Sequence, residues 1–79
     1  MAAKTKGPTW EERAARFLKA ELKRADVTYE ELAARLKKHD MAETKASIAN
    51  KLARGTFPAT FLLASLAALE RPGLSLEDV

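Results

Sequence analysis

Seventy-nine residues without a cysteine suffice for one domain held by apolar packing, because neither a disulfide framework nor a thiolate metal site is open to the chain. Fourteen Lys and Arg against eleven Asp and Glu leave a net charge of +3, too small by itself to argue for nucleic acid. No apolar run reaches the ~18 residues of a membrane span, and the start MAAKTKGPTWEE lacks the apolar centre of a secretory signal, so the expectation is a cytoplasmic protein with no membrane contact.

Residues 1–8 combine small and basic side chains with Gly7-Pro8 and are expected to form a disordered basic arm, leaving residues 9–79 as a single helical domain. Thr9-Trp10-Glu11-Glu12 fits a capping box, in which the threonine hydroxyl accepts a backbone N–H and the glutamate three residues on returns the bond. From there Trp10, Ala14, Phe17, Leu18, Leu22 and Ala25 recur at helical spacing as one apolar stripe, with Arg13, Arg16, Lys19 and Lys23 outward. Glu21 falls on the stripe side and so calls for a cationic partner if it is buried.

A second box, Thr28-Tyr29-Glu30-Glu31, predicts a helix that turns Tyr29, Leu32, Ala33 and Leu36 inward and ends near His39. Lys37, Lys38 and His39 favour the negative end of its dipole. A lone histidine with no ligand cluster around it reads as a helix-end residue, so no metal and no cofactor are expected.

After the connector DMAET, either Glu43 or Thr44 suits the cap of a third helix, 44–54, in which Ile48 and Leu52 make the core contacts and Gly55 supplies the left-handed stop. Ala46, Ser47, Asn50, Ala53 and Arg54 then fall on its far side, with Lys45 and Lys51 on the flanks. That face is thin and basic. Small residues let a backbone approach a major groove, Asn can pair with an adenine edge, and Arg or Lys can meet guanine or phosphate. The same residues also fit an ordinary solvated face.

Pro58 opens a fourth helix, PATFLLASLAALE, uncharged until Glu70. Phe61, Leu62, Ser65, Leu66 and Leu69 form its inward stripe, while Leu63, Ala64, Ala67 and Ala68 make the other sides apolar too. Those sides are expected to pack under the tail, through Leu74, Leu76 and Val79, or against a second copy, with Leu63, Ala67 and the tail as a homodimer surface.

The order TYEELAARL, a turn, then ASIANKLARGTFPATFLLASLAAL resembles the helix-turn-helix core of the lambda-repressor-like, or xenobiotic-response-element, superfamily over roughly residues 10–70. The chain also looks like members of a small bacterial domain-of-unknown-function family with the pattern TYEELA, IANK, RGTF, F and LAA. The superfamily resemblance implies an all-α domain of four to five helices that binds double-stranded DNA as a transcriptional regulator. By it, Tyr29 stands where many relatives have a glutamine touching phosphate, Asn50 lies in the recognition helix, and Arg54 belongs to the Arg-Gly pair. The turn His39 to Thr44 is longer than the superfamily's tight turn. Ala53 stands where relatives carry a glutamate that pairs with helix one, so a swapped polarity is expected, with Glu21 pairing to Lys51 or Arg54.

The expected DNA contacts are therefore Lys45, Ala46, Ser47 and Asn50 near bases, and Lys51, Arg54, Lys37, Lys38 and Tyr29 near phosphates. The rival expectation is a protein-interaction module of the same shape. An enzyme is not expected, because nothing in the sequence assembles a nucleophile with a base and its orienter.

Overall fold

The computed structural model describes residues 7–79. Among them are four α-helices, α1 (Trp10–Ala25), α2 (Tyr29–Lys37), α3 (Lys45–Arg54) and α4 (Ala59–Ala68), a single 3₁₀ turn (Leu76–Asp78), and no strand. The basic arm expected over residues 1–8 falls, up to residue 6, outside the described residues.

Three threonines set the first three helix starts. The Thr9 hydroxyl accepts from the Glu12 N–H at 3.1 Å while the Glu12 carboxylate accepts from the Thr9 N–H at 2.9 Å, which completes the capping box. The second box is half made: Thr28 accepts from the Glu31 N–H, but the Glu31 carboxylate turns along α2 to Arg35, 2.9 Å away. Thr44 caps α3 and its reciprocal partner is Ser47, a serine in the place where a Glu or Gln usually completes the box.

Left-handed residues close the elements. Asp26 (φ 59°) ends α1, and Gly55 (φ 73°) ends α3. A Cβ at Gly55 would lie 2.1 Å from the Glu11 carbonyl oxygen, so the end of α3 rests directly on the first turn of α1. In the long α2–α3 turn, Leu36 accepts from the N–H of both His39 and Met41, and Asp40 is left-handed (φ 59°). Met41 is thereby laid against the core.

The core is built of Leu18 and Leu22 from α1, Leu32 and Leu36 from α2, Ile48 and Leu52 from α3, and Phe61 from α4. Phe57 meets Phe61 edge to face with centroids 5.3 Å apart. No helix among the described residues is long and apolar enough to cross a membrane.

Four expectations are corrected. Trp10 is 63% exposed, because Gly55 meets this turn at the Glu11 backbone and leaves the Trp10 ring uncovered, and the ring instead carries the Arg13 guanidinium 4.2 Å from its centroid. Ala25, at the other end of the stripe, is exposed as well, and Ala15 takes a buried place. Glu21 is buried but pairs with Arg24 (2.6 Å) and Arg71 (2.9 Å), not with Lys51 or Arg54. Gly55 docks at Glu11, ten residues and about 15 Å of helix away from Glu21, so the end of α3 is out of its reach. Finally, the tail does not cover α4. Arg71 draws it onto α1, donating to Glu21, to Asp78 at 2.8 Å and to the Gly73 carbonyl at 2.7 Å, and Arg13 donates to the Val79 carbonyl at 3.0 Å. Leu63 and Leu76 stay 62% and 73% exposed.

Candidate nucleic-acid interface

Two buried residues one turn apart, Ile48 and Leu52, pin α3 to the body of the protein, and helical geometry then fixes what faces out. Lys45, Ala46, Asn50, Ala53 and Arg54 are exposed; Ser47 and Lys51 are half-buried. Neither the tail nor α4 lies over this side. Ser47, Asn50, Lys51, Arg54 and Thr56 together line an open hollow of about 220 Å³.

Within the hollow the polar groups are not equally free. The Ser47 hydroxyl accepts from the Thr44 N–H and donates to Glu43, so capping consumes it. The Lys51 ammonium lies 3.1 Å from the same Glu43 oxygen and 5.5 Å from the centroid of the Phe61 ring, on the inner flank of α3. Ser47, expected near bases, is thus engaged in capping, and Lys51, expected on the flank near a phosphate, is paired with Glu43. Asn50, Lys45 and Arg54 have no side-chain hydrogen bond or ion pair among the described residues.

The remaining expected contacts are not gathered here. Tyr29 is half-buried against the core at the start of α2. Lys37 and Lys38 are exposed at the other end of that helix, where Lys38 shares a hollow with Arg35, His39 and the last turn of α4. In its place the structure supplies Thr56, whose only sequence signal is its position directly after the Gly55 stop. Glu43, which organises Ser47 and Lys51, precedes the Thr44 cap and so lies outside α3, where helical spacing does not signal the pairing.

The family described as a domain of unknown function, DUF6471, matches residues 10–74. The chain belongs to that family. The matched span takes in all four helices and Arg71 and stops before the 3₁₀ turn of the tail. No curated protein and no solved structure matches the chain.

Proposed function

We propose that this domain binds double-stranded DNA in the cytoplasm as a transcriptional regulator of the lambda-repressor-like helix-turn-helix kind, with α2 and α3 as the helix pair and α3 as the reading element. The observation that carries this reading is the uncovered side of α3, on which Asn50, Lys45 and Arg54 stand free among small residues. Asn50 is the base-reading residue, through the bidentate match of an amide to an adenine edge. Arg54 and Lys45 neutralise phosphates, or Arg54 meets a guanine. Lys51 and Ser47 act one step back: with Glu43 they hold the start of the helix in register. The protein acts by binding and not by chemistry.

The test is anisotropy of labelled random-sequence and selected duplexes with the full chain over a salt series. Affinity should fall linearly on a double-logarithmic plot, with a slope of about −0.9 per neutralised phosphate. Asn50→Ala should flatten the preference between duplexes, and Arg54→Gln should weaken all of them. Absence of binding to any duplex at low salt would refute the proposal.

One observation favours a second reading, in which α4 docks a protein partner or a second copy. Leu63 is 62% exposed on an uncharged helix with Ala67 beside it. Self-association that Leu63→Glu abolishes, without retention of the wild type on DNA, would select this reading over the first.

A further inference from the structure

Arg54 lines a second hollow besides the one on the outward side of α3. This second hollow, of about 270 Å³, runs from the end of α3 onto α1 and is bordered there by Arg16 and Lys19. Both α1 residues are exposed, and neither has a carboxylate partner among the described residues, whereas Arg24, Arg35, Lys51 and Arg71 are all paired. Arg54 borders both hollows, so the cations Arg16, Lys19 and Arg54 follow one another from α1 to the outward side of α3.

The relation between those helices is fixed by Gly55. Its backbone sits on the Glu11 carbonyl with no space for a methyl group, so the first half of α1 and the end of α3 form one rigid unit. Arg16 and Lys19 follow Glu11 by five and eight residues, about 7 and 12 Å along α1. A helix of ~10–12 Å diameter fills a major groove about 12 Å wide, which leaves a sugar-phosphate strand along each flank. Packed helices lie about 8–10 Å apart. An α1 packed against α3 therefore brings the exposed Arg16 and Lys19 near one flanking strand.

Resting on the DNA reading proposed above, we infer that Arg16 and Lys19 extend the interface onto α1 and clamp the sugar-phosphate strand beside the groove that α3 enters. Two acids also face this hollow. Glu12 is committed to the Thr9 N–H, and Glu11 lies at the end next to Gly55, so the strand passes on the Arg16 and Lys19 side. The clamp adds affinity and salt dependence without sequence preference, because phosphates carry no sequence.

The experiment measures the affinity of the full chain for one selected and one random duplex across a salt series, for the wild type, Arg16→Gln/Lys19→Gln, Lys19→Gln alone and Lys23→Gln. Lys23 is exposed on α1 one turn beyond Lys19 and outside the hollow, so Lys23→Gln removes the same charge from a place the strand does not reach. Each lost phosphate contact should weaken both duplexes roughly fivefold to tenfold at about 0.1 M salt. The double variant should lower the salt slope by about 2 and leave the ratio between duplexes unchanged. Arg16→Lys/Lys19→Arg, which keeps both charges, should restore the slope. Equal effects of Lys19→Gln and Lys23→Gln, or a double variant that binds as the wild type does while Asn50→Ala loses preference, would overturn the clamp and leave the reading of α3 standing. A wild type that binds no duplex would overturn both.

Discussion

Lys51 holds its ammonium 3.1 Å from Glu43, a carboxylate that also accepts the Ser47 hydroxyl, so one largely buried acid ties the start of α3 to its second turn. The Glu43 side chain is 9% exposed and that of Lys51 28%. Removing the cation leaves the acid without its charge partner in a poorly hydrated place. Lys51→Met should therefore cost about 1–2 kcal/mol. In a domain of this size that is a fall of at least 4 °C in Tm by roughly 4–8 °C per kcal/mol, measurable by thermal circular dichroism. The double change Glu43→Gln/Lys51→Met should recover part of it, because both ends of the pair are then neutral.

Gly55 has two independent reasons to be glycine, a φ of 73° and the Glu11 carbonyl against it. The left-handed conformation alone costs an ordinary residue about 1–2 kcal/mol. The overlap with backbone adds to this, since a carbonyl within α1 cannot swing aside as a side chain would. Gly55→Ala should lose more than about 2 kcal/mol in urea unfolding, and the amide shifts should move in α1 at Glu11 as well as in α3. A loss under about 1 kcal/mol would show that the two helices can part at no great cost.

Arg71 fastens the tail to α1 through Glu21 and Asp78, with its guanidinium 5.5 Å from the Phe17 ring centroid. Glu21→Gln removes the charge on the buried side of this relay. Hydrogen exchange at Asp78 and Val79, whose N–H groups bond back to Ser75 and Leu76, should quicken, while exchange in α3 should not change. Unaltered exchange at the tail would mean that Asp78 and Arg13 hold it without Glu21.

Ser65 is fully buried on α4, and its hydroxyl has no hydrogen-bond partner among the described residues. Its replacement by alanine removes an unpaired polar group and keeps the helix. Ser65→Ala should be neutral or raise stability by about 1 kcal/mol, read as a higher Tm. A clear loss of stability would contradict this.

What could be read in the sequence was local. Thr9 with Glu12, Gly55 as a stop, and Ile48 with Leu52 are relations within one or two helical turns, where periodicity and capping chemistry act directly. What could not be read depends on where elements meet. The middle of the stripe, Phe17, Leu18 and Leu22, is buried, but its ends are not: Gly55 meets the first turn at the Glu11 backbone and leaves the Trp10 ring exposed. The place of Glu21 on the apolar stripe signals its need for a cation, yet one of its partners lies fifty residues away, a separation over which no spacing rule operates. The superfamily resemblance implies Lys51 or Arg54 in its place, which the docking of Gly55 on Glu11 prevents. The outward side of α3 was legible except for Ser47 and Lys51, because the competing claim of Glu43 on both is a side-chain choice that a helical wheel does not contain.

The most direct test of the central claim is a titration of isotopically labelled full chain with a short duplex at low salt, followed residue by residue in amide nuclear magnetic resonance spectra. The account predicts the largest shifts at Lys45, Ala46, Asn50 and Arg54, with Leu63 and Ala67 on α4 unmoved. Shifts confined to α4, or spectra that do not change as duplex is added, would contradict it.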